Sequence, residues 1–201
     1  MRLRTFLTAF SIALFLSNLG FASDKYKIDP GHAHVGFASK HFGLINMHCG
    51  FRDVSGTILF DGADVTKSSV EVTIKTASLF TENESREGAV KGPAFLNVQN
   101  YPEITFKSTR IKKVGDALIV TGDLTIMGVT KEVTFPFELV GPVADPWGNQ
   151  RIGLAASLTV NRYDFGIGFD RKLKGGEPMI GSDIMISLSL EAIPAKESGT
   201  H

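Results

Sequence analysis

Four histidines, His32, His34, His41 and His48, fall in one early stretch of the chain, and its single cysteine, Cys49, follows directly. Imidazole and thiolate are favoured ligands of zinc and copper, but such a site needs three or four donors brought to one point. His32 and His34 are two residues apart and share a face if they lie on a strand. No carboxylate or second cysteine at metal-binding spacing accompanies them, so no metal is expected. Cys49 has only Arg52 near it in sequence to lower its pKa, and it reads as a small strand residue rather than a reactive thiol. Catalytic patterns are lacking: there is no Gly-x-Ser-x-Gly elbow and no phosphate-cradling glycine loop after a strand. Gly166-Ile167-Gly168 lies in a loop of a strand-rich chain and is not a dinucleotide fingerprint. No catalytic residue is assigned, and the chain is not expected to be an enzyme. Arg86, Arg162 and Asp164 remain as polar candidates. A guanidinium beside an apolar site can pair with a phosphate or amide headgroup. The plainer alternatives are a solvated helix charge for Arg86 and, for Asn161–Asp164, a structural turn holding an internal ion pair.

The stronger signal is apolar and periodic. Leu118, Val120, Leu124 and Ile126 fall on one parity with Gly122 between them. Val133, Phe135, Phe137 and Leu139 do the same, and so do Ile152, Leu154, Ala156, Leu158 and Val160. Strict alternation marks antiparallel strands with one face buried. Met127–Thr130 and Asp145–Asn149 read as the turns of a meander. Further strands are expected around 26–28, 34–40, 50–60, 70–75, 104–108 and 184–190, with a turn at Asp29-Pro30-Gly31. Thr81 and Glu84 stand at capping-box spacing, so a helix of about three turns should start there and end at Gly92-Pro93. Residues 163–177 read as a loop or ragged hairpin, and 197–201 as a frayed tail. The expected fold is all-β: a closed eight-stranded antiparallel barrel with one short helix, since closure removes the edges of so long a sheet.

The inward row comprises Phe37, Ile58, Phe60, Val72, Ile74, Ile104, Phe106, Leu124, Ile126, Phe135, Phe137, Leu158, Val160, Ile186 and Leu188. Alternation alone leaves two interiors open, a solid core and a cavity for one small ligand.

Arg2 and Arg4 precede an apolar run over 6–19, with small residues at Gly20-Phe21-Ala22; this is the pattern of a secretory signal peptide over 1–22. Cleavage after Ala22 leaves a single domain over 23–201. Removing Arg2 and Arg4 from the 21 basic residues leaves the chain slightly acidic against its 21 carboxylates, with no electrostatic footprint for nucleic acid. No later stretch is apolar enough to span a membrane. One cysteine cannot form an internal disulfide.

Seven separated stretches, in order, carry a resemblance: Ala33–Phe37, Lys40–Gly43, Ser55–Ile58, Tyr101–Ser108, Leu124–Ile126 with Gly128–Lys131, Asp145–Asn149, and Asn161–Gly166. The chain resembles the YceI-like family of exported bacterial proteins over about Lys25 to Ala192. It departs at Arg86–Val90, which keeps only the arginine of the family's helical pattern, and at Met127, where a histidine is common. The resemblance implies a lipocalin-like barrel and turns the balance from solid core to cavity, with the inward row as ligand-binding residues. It implies a soluble periplasmic or secreted carrier for a long-chain amphiphile, such as a polyisoprenoid, an isoprenoid quinone or a fatty-acid-like lipid, with no cofactor besides that ligand. The other readings are an exported metal-binding or enzymatic barrel using His32, His34, His41 and His48, and a structural barrel with no ligand. A homodimer is compatible with any of them.

Overall fold

The structure is a computed structural model that describes residues 23–195. The signal peptide expected over 1–22 and the tail expected over 197–201 lie outside the described residues. In chain order the elements are β1 (Asp24–His41), β2 (Ile45–Phe51), β3 (Val54–Phe60), β4 (Ser69–Lys75), β5 (Leu79–Phe80), helix α1 (Glu84–Lys91), β6 (Glu103–Val114), β7 (Ala117–Ile126), β8 (Val129–Ala144), β9 (Gln150–Asn161) and β10 (Ile180–Pro194). Neighbours pair antiparallel in the order β10-β9-β8-β7-β6-β4-β3-β1, and β1 pairs with β10 to close the ring. Eight staves result. β2 and β5 are not extra staves but continuations: β2 carries the line of β3 along β1, and β5 carries that of β4 along β2.

The closed barrel expected from the alternation is present, and the details that differ have local causes. The segment expected as a turn at Asp29–Gly31 is a bulge inside one long strand: Ile28 pairs with Ala192 and Ala33 with Leu190, so the intervening residues loop out without ending β1. The single strand expected over 50–60 is two, broken at Arg52 and Asp53, where the Asp53 amide donates to Ser78 Oγ and leaves the ladder. β5 is two residues long and carries no readable alternation. The helix starts later and is shorter than expected. Its cap is Asn83, whose side chain accepts from the Arg86 amide, while Thr81 is buried with its hydroxyl donated to Asn83 O. Residues 162–165 form a 3₁₀ turn closed by Gly166 at φ 78, and the loop beyond carries a single bridge, between Lys172 and Pro178, in place of a strand.

Two further residues shape the wall. Pro136 has no amide hydrogen, and β8 pairs with β9 only from Phe137 onward, so the two strands part over Val129–Pro136. Gly122 interrupts the inward row of β7 because the Phe106 ring occupies the place of a side chain. A Cβ there would lie 2.5 Å from both Phe106 Cζ and Lys107 O.

The barrel has two ends. One is formed by 61–68 with the β6–β7 and β8–β9 hairpins. There Arg151 ties three segments: its Nη1 donates to Asp29 Oδ2 at 2.9 Å and Glu191 Oε2 at 3.0 Å, and its Nε to Asp145 Oδ2 at 3.0 Å. The other end is formed by the β1–β2 hairpin, α1 with its flanking segments, the β7–β8 turn and the loop 162–179. This capped end positions the site.

A cavity with two guanidiniums at one end

The inward faces of the staves do not meet. Val72, Phe106, Leu158, Ile186 and Leu188 lie inside a closed wall yet are only half-buried, which in a solid core they would not be. They face a void. Toward the capped end it is a cavity of about 660 Å³, and deeper a chamber of about 110 Å³; Val35, Ile74, Leu124 and Ile186 line both. The deep chamber is walled almost wholly by aliphatic and aromatic side chains, with Ser68 and Ser69 at its far end.

Every residue of the inward row borders one or both of these spaces. Phe37, Ile104, Ile126 and Val160 line the larger cavity; Ile58, Phe60, Val72, Phe106, Phe135, Phe137, Leu158 and Leu188 line the deep chamber; Ile74, Leu124 and Ile186 form part of the neck. Sequence reasoning missed the roof. Phe95 follows α1 and Phe169 lies in the long loop, and their rings stack with centroids 4.8 Å apart across the capped end. Leu96, Phe165, Ile167, Met179 and Ile180 join them. All but Ile180, the first residue of β10, sit outside the strands, where period-two alternation has nothing to report. The only available signal was the density of Phe, Ile and Met in an otherwise charged, glycine-rich stretch.

The polar side chains on the larger cavity are Ser39, His41, Asn83, Ser85, Arg86 and Arg162, with no carboxylate among them. Arg162 is 2% exposed and sits at the junction of β9 with the 3₁₀ turn. The ion pair with Asp164 considered from the sequence is not made. Instead Nε donates to Gly181 O at 3.0 Å, Nη1 to Ile167 O at 2.6 Å, and Nη2 to Phe169 O at 2.6 Å and to the Tyr163 hydroxyl at 2.9 Å. Carbonyl dipoles solvate the charge without cancelling it. Arg162 therefore gathers the loop 162–181 around itself and leaves a positive charge at the wall. Asp164 is exposed and does not border the cavity.

Arg86 is half-buried rather than a fully solvated helix charge. Its Nη1 donates to Thr81 O at 2.8 Å, which turns the guanidinium inward from α1. It also faces Cys49. Burial raises the Cys49 thiol pKa, and the weaker opposing influence comes from Arg86, not from Arg52 as sequence proximity suggested. Arg52 stacks on Phe80, 4.3 Å from the ring centroid. The thiol is thus held protonated as a small apolar lining group.

The four histidines do not come together. His32 is exposed beside Asp29, with Nδ1 2.9 Å from Oδ2. His34 and His48 are exposed on the outside of β1 and β2. His41 stacks on Phe42 with ring centroids 3.8 Å apart and is the only one of the four on the cavity. Among the described residues no group of three or more His, Cys, Asp or Glu side chains is placed to hold a metal ion.

A closed eight-stranded barrel, hollow, apolar within and roofed by a short helix and a loop, is the architecture of the small-molecule-binding barrels. Residues 26–192 match the model of the YceI-like domain family. The chain belongs to that family. It is 40% identical over 163 residues to Protein YceI of Escherichia coli O157:H7, covering 80% of this chain and 85% of that protein. Its fold is similar to that of Burkholderia cenocepacia BcnA, with a TM-score of 0.72, 24% identity and coverage of 82% and 98% of the two chains. It is also similar to that of a polyisoprenoid-binding domain from Saccharophagus degradans, with a TM-score of 0.64, 15% identity and coverage of 85% and 98%.

Proposed function

We propose that the protein is an exported carrier that holds one long-chain amphiphile, of the polyisoprenoid class, with its tail in the barrel and its head at the capped end. The observation that carries the reading is the void itself: a mainly apolar space of about 660 Å³ continuing into a deep chamber, inside a ring of strands closed by the β1–β10 pairing. Natural interiors are close-packed, and a space of this size lined mainly by apolar side chains with a few polar groups at one end is a binding site by default. Each CH₂ transferred into it from water contributes about 0.8 kcal/mol. A long hydrocarbon therefore binds without any directional contact, and the protein selects for apolarity and length more than for detail.

The head is where chemistry enters. Arg86 and Arg162 border the cavity without a carboxylate beside them, so an anionic head such as a phosphate is favoured over a neutral quinone or amide. The binding activity of the Saccharophagus degradans domain supports the tail class. The carrier reading needs no chemical step. Export rests on the leader pattern over 1–22, and the mature chain should begin at Ser23.

The test is uptake. Protein freed of lipid by unfolding and refolding should bind a polyprenyl phosphate in one-to-one ratio and more weakly bind a fatty acid of few carbons. Equal binding of short and long chains, or none, would contradict the proposal.

A further inference from the structure

A carrier has to take up cargo that resides in a bilayer, and the capped end carries surface features that the cavity does not explain. At the tip of the β1–β2 hairpin, Phe42 and Gly43 have φ of 53° and 71°, and the Leu44 amide donates to His41 O at 2.9 Å. This two-residue turn matches the twist of the strands, but glycine and asparagine are its usual occupants, and a phenylalanine in the left-handed region is uncommon. Immediately after it, Leu44 is 76% exposed and Ile45 58%. Two adjacent large aliphatics at a hairpin tip gain nothing from the fold.

Their neighbours are cationic. The Phe42 amide donates to Met179 O at 2.8 Å, and the Met179 amide to Arg171 O at 2.9 Å. The tip is thereby laced to the loop that bears Arg171, Lys172 and Lys174, all exposed, with Lys40 on the strand below. Asp164, Asp170 and Glu177 are the opposing charges on the same loop, so with Lys40 the exposed cations outnumber them by four to three. His41, Met179 and Ile180, which flank the tip, line the cavity. The apolar tip, the basic loop and the entrance are one region.

We infer that the β1–β2 hairpin tip is a docking surface for a bilayer containing anionic phospholipid: Leu44 and Ile45 enter the acyl boundary while Lys40, Arg171, Lys172 and Lys174 meet the phosphates. The inference rests on the carrier reading and adds where the cargo is exchanged. Apolar insertion and basic attraction reinforce each other in such peripheral contacts, each cation near an anionic surface contributing about fivefold in affinity. A second copy of the chain is a poorer fit, since a stable dimer buries on the order of 1,200–2,000 Å² and two side chains fall far short.

The molecule carries its own control. Trp147, the sole tryptophan, is 80% exposed at the opposite end. Flotation with phosphatidylcholine vesicles containing phosphatidylglycerol should carry the protein up, and pure phosphatidylcholine much less. The double variant Leu44→Asp with Ile45→Asp should lose vesicle binding at least tenfold, as should Lys172→Glu with Lys174→Glu, while Trp147→Asp has no effect. Trp147 emission should not shift to the blue on binding. Vesicle binding unchanged in both double variants, a blue shift of Trp147, or a dimer in sedimentation that the Leu44/Ile45 variant abolishes would overturn the inference. Uptake of a polyprenyl phosphate probe without vesicles separates the two ideas. Retained uptake with unaffected docking removes the hairpin surface and leaves the carrier; lost uptake with hairpin-dependent docking removes the carrier and leaves the surface.

Discussion

Arg86 and Arg162 border one cavity but hold their places by different means, and so should respond differently to change. Arg162 is buried and satisfies three backbone carbonyls within 3.0 Å. Arg162→Met would strand those acceptors, and a loss of about 3–5 kcal/mol in chemical denaturation is expected. Arg86 has one backbone contact and a half-exposed stem. Arg86→Ala should leave the denaturation midpoint nearly unchanged and weaken a polyprenyl phosphate more than the corresponding alcohol. Equal effects on both ligands would remove the headgroup role. Phe135 is the residue that separates void from core. It is 7% exposed, packs with Ile111 and Val120, stands 5.6 Å from the Phe106 ring and still borders the deep chamber. In a solid core Phe→Ala costs about 3–5 kcal/mol. With part of the ring already facing space, Phe135→Ala should cost less than about 3 kcal/mol and shift preference toward bulkier tails. The outward-inward assignment of such residues was legible in the alternation. The carbonyl cage of Arg162 was not, because its partners come from Ile167, Phe169 and Gly181, on a segment with no periodic pattern.

At the scale of elements, the barrel is held differently at its two ends. At the end opposite the cap, Arg151 lowers the Asp29 carboxyl to about 2. Asp145 is also lowered to about 2, first by the Asn149 side chain and then by backbone amides and Arg151. Folded-state values below the unfolded one mean stability that is present above about pH 4 and lost as pH falls toward 2. A wild-type melting temperature that drops steeply between those values is expected, with a shallower drop in Arg151→Leu, measured by scanning calorimetry. Parallel curves would show that Arg151 is not the link. At the capped end the wall is looser: β8 and β9 part above Phe137, β5 is two residues long, and α1 has no fully buried residue. The Phe95–Phe169 stack lies on the cavity at this end. Phe95→Ala should speed release of a bound probe several-fold in stopped-flow exchange, with a smaller change in affinity than in rate. Sequence showed the strands here but not their interruptions. The bulge at Asp29–His32 and the break at Arg52–Asp53 each switch the inward parity, from Ile28 to Ala33 and from Phe51 to Val54, and a switch of parity alone does not say whether a strand turns, bulges or ends.

For the whole molecule, the distinction that decides function is between a filled tube and a hollow one, and the alternation is the same for both. What fills a barrel is the size of facing side chains across its diameter, a relation between residues far apart in the chain. Phe37 on β1 and Ile126 on β7 line the same space, and no local spacing relates them. The closed topology, by contrast, follows from the number of staves and the avoidance of free edges. The described residues contain no helix long and apolar enough to cross a membrane. Whether hydrocarbon occupies the hollow decides between a carrier and an empty barrel. Native mass spectrometry of the protein released from cells without detergent should show the polypeptide carrying one additional mass, and organic extraction should return that mass as a long-chain lipid. Bare polypeptide alone, with no uptake when a polyprenyl phosphate is supplied, would contradict it.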